Sequence, residues 1–304
     1  QKGELYTTLE VHLSKVYSVA WTNKDREIIT GSFDRRLLVW DFSSNQTLET
    51  SKHNNNANYE LLYTFDNPIF DLALSPDNRT IAIACKNSKI YFYDFQQRKI
   101  TKSSLDNHTA GVNSVAWSPN GSMLASASAD RTIIIWNSDT KQKIRVLKKH
   151  QGPVNTIAWS PDSKMLVSGG DRTVRIWNPS KNAQPIHTLS SLHQGFIKSV
   201  DFSFDGKFMV SKSQDNTVRL WNCNTWEMVA SLDEPTTERA ANAVAFHPQE
   251  LTLATLGEND TVIRVWDLDA DQLRRPLKPT EKQPIQPVSV NPVEPPWIFG
   301  MHDP

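Results

Sequence analysis

The sequence predicts an all-β fold made of small antiparallel sheets repeated around an axis. Three observations predict it. A pattern recurs at a spacing of forty-odd residues, each unit alternates short strands with turn signals, and a large aromatic follows a turn Asp or Asn by six places. The clearest unit is VNSVAWSPNGSMLASASADRTIIIWN, residues 112–137. VNSVAW reads as a first strand. SPNG reads as a turn, because proline and glycine supply the fixed and the positive φ that turns require. MLASAS is a second strand, small enough for close packing. Asp130 sits in the next turn, and TIIIW is a β-branched third strand ending at Trp136. Three such strands cannot bury both faces alone, so the unit needs neighbours like itself.

The register is set by six pairs: Asp34 and Trp40, Asn87 and Tyr93, Asp130 and Trp136, Asp171 and Trp177, Asp215 and Trp221, Asp260 and Trp266. Asp or Asn follows the aromatic each time, and the anchors are spaced by 53, 43, 41, 44 and 45 residues. A period of this size with four short strands per unit is that of a propeller blade. The first strands end on Trp21, Leu74, Trp117, Trp159, Phe202 and Phe246, which read as packing residues between adjacent sheets.

This pattern resembles the WD-repeat (WD40) family over almost the whole chain. Trp40-Asp41 and Trp266-Asp267 have the family's dipeptide, and the SPDS and SPNG turns and the histidine ahead of the first strand have its form. One dipeptide is a weak signal; six units in register are a strong one. The resemblance implies a WD40 β-propeller, a closed ring of four-stranded blades whose innermost strands line a channel. Blade one is placed at 11–48 with 60–65, blade two at 66–105, blade three at 108–148, blade four at 150–190, blade five at 193–232 and blade six at 237–278. The polar stretch SSNQTLETSKHNNNAN explains the long first spacing and reads as a flexible loop on the bottom face.

The C-terminal segment departs from the regular pattern. IQPVSVNPVEPPWIFGMHD, from Ile285 to Asp303, can be laid on Ile197 to Asp215 without a gap, matching Ile285, Val288, Val290, Trp297, Ile298 and Asp303. Read so, 285–304 supplies two strands of an incomplete seventh blade. The segment 3–10, which has the form of a fourth strand, joins it. Closing the ring through the two terminal segments removes exposed sheet edges. The expectation is seven blades; six blades with a proline-rich tail is the alternative.

Composition narrows the function classes. Lys+Arg and Asp+Glu number 33 each, which removes a simple electrostatic argument for nucleic acid or an anionic membrane. There is no apolar run long enough to cross a bilayer and no signal-peptide shape, and two cysteines do not make a disulfide framework. The expectation is a reduced, cytoplasmic protein with Cys85 as a small buried hydrophobe.

Four blades carry a histidine, a hydroxyl residue, an aspartate and a tryptophan in fixed register. They are His12, Thr30, Asp34 and Trp40; His108, Ser126, Asp130 and Trp136; His150, Ser168, Asp171 and Trp177; His193, Ser211, Asp215 and Trp221. One histidine per blade is too spread around a ring to ligate a metal. A Ser-His-Asp hydrolase would need a nucleophile elbow or an oxyanion loop, and none accompanies the set. The resemblance implies a buried hydrogen-bond network that ties each blade to the loop before it. No catalytic residue, cofactor or metal is assigned. Blades two and six lack the set, with Phe65 and Thr237 at the histidine position, and are expected to rely on apolar packing and to open first.

Function is then expected on the exposed top face. Its inner rim takes Lys15, Tyr17, Phe33, Arg35, Phe70, Lys86, Asn113, Asn155, Phe196, Lys198 and Gln214. Tyr17, Phe33 and Phe70 would cluster beside Lys15, Lys86 and Arg35, the residue types of protein-interaction hot spots. The leading reading is a non-enzymatic scaffold or sensor that binds a protein or peptide there. Nucleic-acid binding through basic clusters such as KQKIRVLKK is an alternative reading, and small-molecule sensing in the channel is another. The repeats also look like those of large bacterial signalling proteins, in which the propeller senses for other domains of a longer chain.

Overall fold

The computed structural model describes residues 9–22, 27–42, 58–190, 193–234, 243–257 and 262–268. Twenty-three strands form six antiparallel sheets in chain order. The first holds β1 (Val16–Trp21), β2 (Glu27–Ser32), β3 (Arg36–Asp41) and β4 (Asn58–Thr64). The second holds β5 (Ile69–Leu74), β6 (Thr80–Cys85), β7 (Ile90–Asp94) and β8 (Lys99–Leu105), and the third β9 (Val112–Trp117), β10 (Met123–Ser128), β11 (Ile133–Asn137) and β12 (Lys143–Leu147). The fourth holds β13 (Thr156–Trp159), β14 (Leu166–Gly169), β15 (Val174–Trp177) and β16 (Pro185–Leu189), and the fifth β17 (Ile197–Phe202), β18 (Phe208–Ser213), β19 (Thr217–Asn222) and β20 (Met228–Asp233). The sixth shows β21 (Val244–Phe246), β22 (Thr252–Gly257) and β23 (Val262–Asp267).

The first-to-second hairpins of blades two to five are closed by the same device. A serine accepts from the amide five residues on, as Ser75 does from Thr80 N, Ser118 from Met123 N and Ser160 from Met165 N. The turn then needs one residue at positive φ. Gly121 (φ 73) and Gly206 (φ 70) fill it at no steric cost, and Asn78 and Ser163 fill it in their blades.

The core lies between sheets, not within one. Five apolar clusters each join two successive sheets. Ile29, Leu37 and Val39 of sheet one meet Ile69, Leu72 and Ile81 of sheet two, and Val167 and Val174 of sheet four meet Ile197 and Val200 of sheet five. This is why one unit cannot stand alone: sheets two to five are each covered on both faces by a neighbouring sheet.

Side-chain bonds between inner strands reinforce the stack. Asp71 on β5 accepts from Ser18 Oγ at 2.7 Å and from Val115 N at 2.9 Å, so it spans three sheets. Asp201 accepts from Phe246 N at 2.8 Å. The indoles of Trp117 and Trp159 donate to Ala73 O and Ala116 O of the preceding sheet, at 3.1 and 3.0 Å.

Six sheets among the described residues correspond to the six-blade alternative, not to the expected seven. The seventh-blade segment 285–304 and residues 3–8 lie outside the described residues, as does the last strand expected of blade six; Leu9 and Glu10 are described and are not in a strand. No apolar cluster joins sheet six to sheet one among the described residues. Val19 and Trp21 on β1 are 60% and 65% exposed, whereas Leu72 on β5 is 5% exposed. β1 is the one first strand whose apolar face lacks a preceding sheet among the described residues.

Candidate functional site

The four tetrads have one geometry. His Nδ1 lies 2.9 Å from Asp34, 2.8 Å from Asp130, 2.9 Å from Asp171 and 2.9 Å from Asp215 for His12, His108, His150 and His193. Nε2 lies 2.7 Å from Thr30 Oγ1, 2.8 Å from Ser126 Oγ, 2.8 Å from Ser168 Oγ and 2.9 Å from Ser211 Oγ. The same hydroxyls accept from the indoles of Trp40, Trp136, Trp177 and Trp221 at 2.8 to 2.9 Å. One proton assignment satisfies the whole chain: the indole donates to the hydroxyl, the hydroxyl donates to Nε2, and Nδ1–H donates to the carboxylate. Burial favours the neutral imidazole that this assignment uses at His108, His150 and His193. Each link contributes about 1 kcal/mol net, and stranding a member costs ~1–3 kcal/mol.

Electrostatics follow from this arrangement. Burial alone would raise the four aspartates, yet amide and imidazole donors, with a threonine hydroxyl at Asp130, Asp171 and Asp215 and the Arg36 guanidinium at Asp34, hold each below the usual carboxylate range. Burial outweighs the adjacent carboxylates and holds His108, His150 and His193 below the ordinary imidazole value. A depressed imidazole pKa favours the unfolded state once that state protonates. Stability from these three rings is therefore complete above pH ~6.5 and is lost as pH falls below it. A histidine NMR titration is expected to find the three rings still largely neutral at pH ~6.5, where a free imidazole is half protonated. Asp201 works the other way: burial pushes it up to about 6, so its contribution is lost as pH rises from the ordinary carboxylate value through about 6.

Blades two and six were expected to lack a network. Blade two does replace it with apolar packing: Phe65 sits at the histidine position, Ile83 at the hydroxyl position and Tyr93 at the indole position, all buried. Phe65 packs on Tyr63 and Tyr91 at 4.8 and 5.3 Å between ring centroids. Blade six corrects the expectation. Trp266 Nε1 donates to Thr255 Oγ1 at 2.9 Å, and Thr255 donates to Glu234 Oε2 at 2.8 Å. Glu234 is fully buried and is paired with Arg264 Nη1. A carboxylate at the end of β20 thus replaces the imidazole as acceptor; Thr237 lies outside the described residues. Thr255 sits at the hydroxyl position of its repeat, and that was the available signal.

The rim residues are positioned by bulges. The β1–β2, β5–β6 and β17–β18 pairings shift register at the second residue of the first strand, and β9–β10 does so opposite it. Tyr17, Phe70, Lys198 and Asn113 drop out of their ladders, which re-aims their side chains toward the rim. The fate of each differs. Asn113 donates to Val154 O at 2.9 Å and Asn155 to Ile197 O at 2.8 Å, so both amides clip one blade to the next. Lys198 is half-buried, and burial holds its amine below the usual lysine value. Phe196 is exposed on blade five, where its carbonyl accepts from Gln214 N at 3.0 Å.

The aromatics of blades one and two come together. The Tyr17, Phe33 and Phe70 rings lie 5.7 to 6.5 Å apart, with Tyr17 edge-on to Phe70 and Phe33 stacked on Phe70. Lys86 Nζ lies 5.9 Å from the Phe33 ring centre. Phe33 N donates to Lys15 O at 2.9 Å, which ties the two loops of blade one together. Tyr17 is 45% and Phe33 39% exposed, and Lys15, Arg35 and Lys86 are exposed around them.

One set of residues was missed. The second position after the leading aliphatic is polar in five first strands: Ser18, Asp71, Ser114, Thr156 and Ser199. Ser18, Asp71, Thr156 and Ser199 bond a neighbouring sheet, as in Ser18 to Asp71 and Val244 N to Ser199 Oγ at 3.2 Å. The recurrence was visible in the alignment of the repeats.

Radially packed sheets, each joined to the next by apolar cores and most locked internally by a buried polar chain, define a β-propeller. A model of the first β-propeller of WDR19 matches residues 52–195, and a model of the WD domain, G-beta repeat, matches residues 3–41 and 183–222. The chain belongs to the WD-repeat family. It is 27% identical over 233 residues to a guanine nucleotide-binding protein subunit beta of Oryza sativa, covering 72% of this chain and 58% of that one. It is 29% identical to Protein HIR1 of Cryptococcus neoformans, covering 77% of this chain and 18% of that one. It is 25% identical to the U5 small nuclear ribonucleoprotein 40 kDa protein of Dictyostelium discoideum, covering 83% and 81%. The chain thus spans little more than half of the rice protein and less than a fifth of HIR1. A crystal structure of a mitotic checkpoint complex shares the fold at a TM-score of 0.70 and 19% identity, over 85% of this chain and 74% of that one. By their names, the rice and Dictyostelium relatives are components of multi-part assemblies. No helix among the described residues is long and apolar enough to cross a membrane, which says nothing of β-barrels.

Proposed function

We propose that this propeller is a non-enzymatic interaction scaffold that binds a protein or peptide at the rim formed by blades one and two. The contact of Tyr17, Phe33 and Phe70 on an exposed rim beside Lys15, Arg35 and Lys86 carries this reading. Aromatic and cationic side chains of this kind supply most of the energy in protein interfaces. A catalytic use of the Ser-His-Asp sets is disfavoured by access. Ser126, Ser168 and Ser211 are fully buried, and each hydroxyl is held between an indole and an imidazole. The relatives' membership in assemblies points the same way.

The test compares the parent with the Tyr17→Ala, Phe33→Ala, Phe70→Ala triple variant as bait in lysate. The variant is expected to keep its fold and lose the proteins that the parent retains. Equal capture by both would remove the rim from the proposal.

A further inference from the structure

We infer that the cleft between blades two and three is a second binding site, for an alkylammonium group, and that the side chain of Lys141 is its resident occupant. The cleft has a volume of about 790 Å³ and is lined by the β5–β6, β9–β10 and β11–β12 turns. These lie at the opposite ends of the strands from the β2–β3 and β6–β7 turns that carry Phe33 and Lys86. The site is therefore separate from the rim and does not depend on it. Trp117 of blade three lines the cleft, and the buried ring of Phe92 of blade two lies 6.3 Å from it between centroids. The position of Phe92, directly before the indole position, is Val39, Ile135, Ile176, Leu220 and Val265 in the other five repeats. An aliphatic residue fills the core there, so packing alone does not call for a ring in blade two. The amine of Lys141 lies 4.4 Å from the Phe92 ring centre and 5.1 Å from that of Trp117, and it donates to Ser138 O. Two rings and a carbonyl thus form a seat for a cation, and the seat is filled from within the chain.

Lys141 differs from its counterparts in what it reaches. It sits at φ 58 in the β11–β12 turn, as Arg98 and Trp226 sit at φ 50 and 59 in theirs. All three reach back to the preceding blade: Arg98 to the carboxylate of Glu60, Trp226 to the ring of His187, and Lys141 to Phe92. Lys141 alone of the three ends in an aromatic seat at the edge of this cleft. Its amine rides on a flexible four-carbon stem, so it can leave the seat while the backbone stays in place. Burial holds the amine below the usual lysine value, although Asp139 and Asp77 act to raise it. Both carboxylates line the cleft as well. They favour an arriving cation, whereas an anion would meet two like charges.

The experiment titrates butylammonium into the full chain and follows the indole N–H resonance of Trp117 by NMR. Lys141→Gly empties the seat and suits the positive φ of that position. This variant is expected to bind butylammonium roughly tenfold tighter than the parent, the factor for a seat left open about a tenth of the time. Adding Phe92→Ile, the residue that blades three and four carry there, is expected to abolish the gain while the fold is kept. The peptide acetyl-Gly-Lys-Gly-amide, titrated in parallel, distinguishes the sources of the group. Tighter binding of the peptide assigns the seat to a partner's lysine, and tighter binding of butylammonium assigns it to a free amine. Equal binding by parent and Lys141→Gly, binding by neither, a gain that survives Phe92→Ile, or a preference for butyrate would overturn the proposal.

Discussion

Replacing Trp177 by alanine is expected to lower the unfolding free energy by about 3–5 kcal/mol, the range for deleting a buried large aromatic. Trp177 is fully buried in the core between sheets three and four, beside Val154, Ile157 and Leu166. Its loss removes apolar burial from two sheets and leaves Ser168 without the indole that donates to it. Trp177→Phe separates the two contributions. It keeps most of the packing and should cost only ~1–3 kcal/mol, mainly from the lost hydrogen bond. Trp21→Ala is the control: that indole is 65% exposed, and its removal should shift stability by no more than about 0.5 kcal/mol. Chemical denaturation of the three variants checks this.

The second large effect is expected at the buried pair of blade six. Arg264→Met leaves the carboxylate of Glu234 fully buried, with Thr255 still donating to it but its guanidinium partner gone. Removing one member of a buried pair costs about 3–5 kcal/mol, because the remaining charge has lost its counter-ion. The double variant Glu234→Leu, Arg264→Met should recover much of that loss, since replacing both members by apolar groups is often neutral. A double-mutant cycle by denaturation reads the coupling directly. Sheet six shows three strands among the described residues, so the pair also tests whether a polar lock holds a blade that apolar packing alone was expected to hold.

Much of this molecule was legible before any coordinates, for a definite reason. In a radial stack each repeat meets the same surroundings, so residue type recurs at fixed spacing. His150, Ser168, Asp171 and Trp177 could be aligned with His193, Ser211, Asp215 and Trp221 because both sets face the same geometry. The rim trio was legible through the same register, which placed Tyr17, Phe33 and Phe70 near one another. What escaped was non-repeating. Glu234 directly follows β20, and its role as imidazole substitute appears only when Thr255 and Arg264 are seen beside it. Asn113 and Asn155 were read as rim groups from their place in the repeat, which does not show that an amide reaches the next blade. The number of blades depends on terminal segments with the weakest repeat signal, and those lie outside the described residues.

The division of labour proposed here, buried chains for folding and one rim for binding, can be read in a single experiment. Amide hydrogen exchange is measured on the full chain with and without a peptide selected at the rim. The account predicts added protection at 15–17, 33–36, 70 and 86, with the hairpin turns at 75–80, 118–122 and 160–165 unchanged. Protection centred on those hairpin turns, with the aromatic rim unaffected, would contradict it.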